Sequence, residues 1–188
     1  GMGMTDSSAF IKSVGVSDAL MAEEFSEPAD AALDPAHLVE RNCTTYLDLV
    51  PQLELLPGVL QTLDRWGERY PLAIASSSPH SELIAILNHH GLEDRFDHVV
   101  GGDMVARKKP DPEIYEMVAG LLDASPPACI AFEDSQSGIA AARSAGLKTV
   151  AVPHAMSADH DFSSADLILD TLLEFDDLAL QRLIDPTC

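Results

Sequence analysis

Short apolar runs alternate with helical patterns from residue 71 onwards, and this alternation constrains the fold more than any other feature of the sequence. The first run, residues 72–75, ends in Ser76, and the helical pattern that follows it stops at Gly91. Strands that alternate with helices at this spacing form βαβ units, because parallel neighbours need a crossover connection. The sequence therefore predicts an α/β domain built on a mainly parallel sheet.

The predicted elements divide the chain into two parts. Residues 5–55 have a helical pattern, with Asp34-Pro35 as a helix start and Val39, Cys43, Tyr46 and Val50 on one helical face. A further helix, ending near Gly67, should turn Leu60, Leu63 and Trp66 inward. Five strands are predicted beyond it, at 72–75, 96–100, 129–132, 149–152 and 167–169, with helices at 112–122 and 138–145 among the connections. We expect a helical piece over 1–56 and an α/β piece over 57–188.

The charge and the cysteines exclude several classes of function. The 31 acidic and 11 basic residues give a net charge of −20, so a basic face for nucleic acid or for an anionic membrane is not expected. The three cysteines, Cys43, Cys129 and Cys188, are too few and too scattered for a disulfide framework. A reducing cytoplasm is the simplest setting for such a chain. No apolar run approaches the roughly 20 residues that a membrane-spanning helix needs.

Polar side chains follow the predicted strands at the edge where ligands bind in open parallel sheets. Ser76 follows the first strand, Lys109 lies in the loop beyond the second, and Glu133-Asp134 follow the third. Carboxylates suit a hard cation such as Mg²⁺, whereas a lysine and a serine suit phosphate oxygens. Each residue alone also fits an ordinary turn or solvated loop, but together they predict a phosphoryl-transfer site.

Three motifs in order resemble those of a known superfamily. They are Ala75-Ser76-Ser77-Ser78, Lys109-Pro110-Asp111-Pro112, and Phe132-Glu133-Asp134-Ser135 with Gly138. They are similar to the second, third and fourth motifs of haloacid dehalogenase-like hydrolases, in the group of phosphatases and β-phosphoglucomutase-like enzymes. The resemblance covers nearly the whole chain. It implies a Rossmann-like parallel sheet core with a small helical cap, of which residues 1–56 would be a part.

The resemblance also implies roles for individual residues. Ser76 would bind the transferring phosphoryl group, with Ser77 and Ser78 as further phosphate contacts, and Lys109 would neutralise the nucleophile and the phosphate. Glu133 and Asp134 would hold Mg²⁺ as the cofactor. The expected partner is a small phosphorylated metabolite, not a nucleic acid or a membrane.

The sequence departs from the superfamily in one respect. Family members begin with an apolar strand that ends in D-x-D, where the first aspartate attacks phosphorus and the second is the general acid/base. The single D-x-D in this sequence, Asp159-His160-Asp161, follows no apolar run. We expect the core to lack its first strand and the front of its cap, either because the sequence is a fragment or because a neighbouring chain fills the gap by strand exchange, which would make a homodimer.

Three functions follow as hypotheses. The first is Mg²⁺-dependent hydrolysis of a small phosphomonoester by a full-length parent protein, with the 188-residue chain itself expected to be inactive. The second is a sugar-phosphate mutase, and the third is a non-catalytic remnant. In β-phosphoglucomutase the cap offers an Arg where Asp6 aligns and a Lys where Asn42 aligns, next to Arg41. Because an acid in place of that Arg repels a second phosphate, the sequence favours a phosphatase over a mutase.

Overall fold

The computed structural model describes residues 50–185 of the chain. Residues 1–49 lie outside the described part, and with them most of the predicted helical cap and its face of Val39, Cys43 and Tyr46. The predicted boundary near 55–57 falls between a short 3₁₀ helix, Val50–Gln52, and the first described α-helix. The division into a cap and a core stays a prediction.

Five short strands form two parallel sheets within the described residues. They are β1 (Ala73–Ala75), β2 (His98–Val100), β3 (Ile130–Glu133), β4 (Lys148–Ala151) and β5 (Leu167–Ile168). β1 pairs with β2, whereas β3, β4 and β5 form the second sheet in that order. Every pairing is parallel, with Ala75 opposite Val100 and Glu133 opposite Ala151. The predicted α/β class with a parallel sheet is therefore confirmed.

Five α-helices precede, connect and follow these strands within residues 50–185. They are α1 (Val59–Gly67), α2 (His80–His90), α3 (Glu113–Leu121), α4 (Gln136–Ser144) and α5 (Asp177–Ile184). α2 ends where predicted, because Gly91 at φ 63° adopts the left-handed conformation that a residue with a Cβ resists. Ser135 caps the start of α4, and its side chain accepts the N–H of Gly138. No helix in the described part is both long and apolar enough to cross a bilayer.

The helices cover the strands with two main apolar clusters. One cluster joins Val100 and Ala131 of the strands to Ile114 of α3 and Ala142 of α4. A second joins strand residue Val150 to Trp66 of α1 and to Ala179 and Leu183 of α5. A parallel sheet is typically buried on both faces, which explains why its strands are continuous apolar runs in the sequence. These clusters fix the strand ends at which the candidate site lies.

One prediction about α1 is wrong. Leu63 and Trp66 are buried as expected, but Leu60 is 46% exposed. Each step of three residues falls about 60° short of a full helical turn, so Leu60 lies about 120° around the helix from Trp66. The helix buries the face centred on Leu63 and Trp66, and Leu60 lies beyond the edge of that face.

β1 and β3 each have a second edge that no strand within residues 50–185 occupies. Ser76 N donates to Val100 O on the β2 side, whereas Ala75 O accepts from the Lys109 ammonium instead of from a strand. Phe132 of β3 is 38% exposed, which is unusual for an aromatic residue in a parallel sheet. These two edges are where the expected first strand of the family would pair, and that expectation stays a prediction.

Candidate functional site

Lys109 connects the carboxyl ends of β1 and β3. Its Nζ donates to Ala75 O at 3.0 Å and forms an ion pair with Glu133 Oε1. The side chains of Lys109 and Glu133 are each 6% exposed, so both charges are almost fully removed from water. The sequence predicted that these strand ends would meet at one edge, and Lys109 is the residue that reaches both.

The Glu133 carboxylate accepts hydrogen bonds from three side chains. Oε1 accepts from the Tyr115 hydroxyl as well as from Lys109, and Ser135 Oγ donates to Oε2 at 3.3 Å. Burial and the neighbouring Glu133 carboxylate hold the pKa of Tyr115 well above its usual value, so the hydroxyl keeps its proton at neutral pH. A Cβ at Gly138 would overlap this carboxylate, so a larger residue there would displace it from Lys109 and Tyr115.

The serine loop, residues 76–78, is anchored to the loop that follows β2. Ser76 Oγ accepts the N–H of Ser78 at 3.2 Å, and Ser78 O accepts the N–H of Gly102 at 2.9 Å. A Cβ at Gly102 would overlap the backbone oxygen of Ser77, so the close approach of the two loops requires glycine. The three predicted phosphate contacts are therefore held in a fixed loop next to Ala75, the residue that Lys109 contacts.

Asp134 differs from Glu133 in its surroundings. Its side chain is 57% exposed, and its Oδ2 lies 3.1 Å from His154 Nε2. Within residues 50–185 no three His, Cys, Asp or Glu side chains converge as metal ligands. Mg²⁺ commonly binds through one or two carboxylates and keeps several waters, so the accessible Asp134 carboxylate fits it. Glu133 fits it less well in this arrangement, because its oxygens already accept from Lys109, Tyr115 and Ser135.

Three residues of this region were not singled out from the sequence: Tyr115, Glu113 and His154. Tyr115 lies in an apolar helical pattern, which predicts core packing and hides the role of its hydroxyl. His154 follows the fourth strand, as Ser76 follows the first, so the strand-end rule would have found it. By contrast, the D-x-D at 159–161 lies outside any strand, and Asp161 Oδ1 accepts the N–H of Ser163 at 2.9 Å.

Glu113 holds the loop that leads to Lys109. Its two carboxylate oxygens accept the backbone N–H groups of Ala106 and Arg107, each at 2.9 Å. The hydrogen bond from Ala106, followed by that from Arg107, lowers the pKa of Glu113 below its usual value. No spacing rule predicts this clamp, because the contact depends on the path of the intervening loop.

We expect Glu113→Gln to change how stability depends on pH. A carboxyl whose pKa is lower in the folded state stabilises it above the unfolded pKa of about 4.3, and the contribution is lost as pH falls through the folded pKa. The deficit of the variant in urea unfolding should therefore be largest above about pH 5 and should shrink in acid. Glu116→Gln, at an exposed position of the same helix, is the control. If the free energy of unfolding depended on pH equally in the two variants, the role of Glu113 in holding this loop would be contradicted.

Comparison with known proteins identifies the family of the chain. The family described as haloacid dehalogenase-like hydrolase matches residues 1–152. Protein CbbY of Rhodobacter capsulatus is 37% identical over 147 residues, which cover 75% of this chain but only 64% of that protein, less than two thirds. The fructose-1-phosphate phosphatase YqaB of Escherichia coli is 35% identical over 134 residues, covering 70% of each chain.

A solved structure gives the same result. The β-phosphoglucomutase of Clostridium difficile superposes with a TM-score of 0.82 and 25% identity, covering 96% of this chain and 82% of that one. Its likeness agrees with the parallel strands and connecting helices described above. The chain belongs to the haloacid dehalogenase-like hydrolase family.

Proposed function

We propose that this chain, once completed by a strand that carries the D-x-D aspartates, hydrolyses the phosphomonoester bond of a small phosphorylated sugar. The observation that carries the proposal is the buried Lys109 ammonium, which lies between the end of β1, where the serine loop starts, and the end of β3, where Asp134 follows. The relative named as a fructose-1-phosphate phosphatase supports the same substrate class. The scattered cysteines support a reducing compartment such as the cytoplasm.

The described residues would bind and neutralise the phosphate. The Ser76 and Ser78 hydroxyls are donors for phosphate oxygens, and the anchored loop keeps them in place before the substrate arrives. The Lys109 ammonium now donates to Ala75 O, the Tyr115 hydroxyl and Glu133 Oε1, and it would exchange one of these contacts for a phosphate oxygen. Asp134 would hold Mg²⁺, with Glu133 joining if it exchanges its Lys109 contact for the cation. Bound there, Mg²⁺ would neutralise charge on the phosphate oxygens. Glu133 is the one carboxylate residue on a strand within residues 50–185, and it is paired with Lys109. The proposal therefore assigns Glu133 and Asp134 to binding, not to nucleophilic attack.

The hydrolase proposal is tested with a fusion protein that places the apolar strand and D-x-D segment of a family member ahead of residue 1. With Mg²⁺ and fructose 1-phosphate, we expect release of inorganic phosphate that Ser76→Ala lowers at least about tenfold, because a hydrogen bond to a charged group is lost. With glucose 1-phosphate, phosphate release should exceed formation of glucose 6-phosphate. Isomerisation without phosphate release would show that the protein is a mutase. If neither inorganic phosphate nor glucose 6-phosphate formed, the proposal would be contradicted.

A further inference from the structure

The loop after β4, residues 153–162, lies against the start of α4 and is called the β4 loop. Its first turn is closed by Ser157, which is fully buried and whose Oγ accepts the N–H of His154 at 3.1 Å. In return, Ser157 N donates to His154 O at 3.0 Å. The backbone of His154 is therefore fixed on both its donor and its acceptor side.

The ring of His154 is fixed as well. Its Nδ1 accepts the N–H of Met156 at 3.1 Å. A ring nitrogen that accepts a hydrogen bond carries no proton, so the proton of the neutral ring is on Nε2. Nε2 therefore donates to Asp134 Oδ2 at 3.1 Å. The local backbone thus sets both the direction and the tautomer of the side chain that contacts Asp134.

A second histidine attaches the other end of the β4 loop beside Asp134. His160 Nδ1 accepts the N–H of Gln136 at 3.3 Å, and Gln136 Oε1 accepts the N–H of Asp161 at 3.3 Å. The β4 loop is thus connected to residues 134 and 136, on both sides of Ser135. Such double attachment leaves His154 little freedom to move away from the Asp134 carboxylate.

We propose that His154 is a positioning residue for Asp134, and this rests on the proposed function, in which Asp134 holds Mg²⁺. By donating to Oδ2, His154 orients the carboxylate and leaves Oδ1 for a cation. Hydrogen bonds to a metal-binding carboxylate fix its orientation, and removing such partners typically costs about 10–100-fold in metal affinity or activity.

Two substitutions separate this role from a purely structural one. Four bonds join Cα to Nε2 in both histidine and glutamine, so His154→Gln keeps a donor within reach of Asp134. His154→Asn is too short to reach Asp134, but its Oδ1 can still accept the N–H of Met156 as Nδ1 does. If His154 only closes the turn, asparagine should substitute better than glutamine. If it positions Asp134, glutamine should substitute better.

The experiment is a Mg²⁺ titration of the 188-residue chain, followed by the backbone amide NMR shifts around Asp134, together with the ring ¹⁵N shifts of His154. We expect the Nε2-protonated tautomer in the unsubstituted chain, at least about tenfold weaker Mg²⁺ binding for His154→Asn, and a change of less than about threefold for His154→Gln. Three results would each overturn the proposal. They are the Nδ1-protonated tautomer of His154, equal Mg²⁺ affinities of His154→Asn and the unsubstituted chain, and no change in the NMR shifts around Asp134 when Mg²⁺ is added. If the hydrolase assay fails while the Mg²⁺ affinities keep this order, only the proposed function is lost.

Discussion

Lys109→Met is expected to lower the free energy of unfolding by about 3–5 kcal/mol, because it leaves the Glu133 carboxylate buried without its counter-charge. The Lys109 and Glu133 side chains are both 6% exposed, so water cannot replace the missing partner. The Tyr115 and Ser135 hydroxyls would still donate to the carboxylate, but neither carries a charge. Urea unfolding monitored by circular dichroism measures the loss.

A double-mutant cycle isolates the ion pair from the packing of the lysine stem. Glu133→Gln alone should also destabilise, whereas Lys109→Met with Glu133→Gln should cost less than the sum of the two single changes. Arg95→Met is the matched control, because Arg95 and Asp64 form an exposed pair at 2.7 Å with exposures of 33% and 71%. Surface pairs contribute at most about 1 kcal/mol. If the stability losses of the two single changes simply add in the double variant, the ion pair between Lys109 and Glu133 contributes nothing to stability.

The order of strands and helices could be predicted from the sequence because it depends on local patterns. The run at residues 72–75 gave β1, and the glycine at 91 ended α2, where its left-handed backbone shows why that residue type is needed. The strand-end rule predicts that Ser76, Glu133 and Asp134 lie at one edge of the sheet, because the carboxyl ends of parallel strands converge whatever the connecting loops do. For the ends of β1 and β3 the contacts of Lys109 with Ala75 O and Glu133 agree with this prediction.

The contacts within that edge could not be predicted, because they depend on side-chain directions across separate elements. Glu133 and Asp134 are neighbours in the sequence, yet one is buried among donors and the other is 57% exposed. Successive residues at a strand end point to opposite faces, so two adjacent carboxylates do not by themselves make a shared metal site. The roles of Tyr115 and Glu113 likewise arise only when α3 is placed so that Tyr115 reaches Glu133 and Glu113 reaches the loop before Lys109.

A polypeptide of these 188 residues alone is expected to show no phosphatase turnover above background. Hydrolysis through an aspartyl-phosphate needs a carboxylate in line with phosphorus, and such positioning contributes a factor on the order of 10⁵ or more. Ser76 and Lys109 can hold a phosphate but are not placed to supply that attack. Glu133 is held by Lys109 and Tyr115, and Asp161 of the single D-x-D accepts from Ser163 in a loop.

Phosphatase activity is measured with p-nitrophenyl phosphate and Mg²⁺, and it is compared between the 188-residue chain and the fusion protein with the added D-x-D strand. The added strand should switch activity on, because it brings the attacking carboxylate to the edges of β1 and β3 that no described strand occupies. Changing its first aspartate to asparagine should remove the activity again, and Lys109→Ala should do the same. Hydrolysis by the 188-residue chain that survives Asp159→Asn with Asp161→Asn would contradict this expectation. The chain would then use another nucleophile, or water would attack phosphorus without a covalent step, and the aspartate-based reading of the site would have to be abandoned.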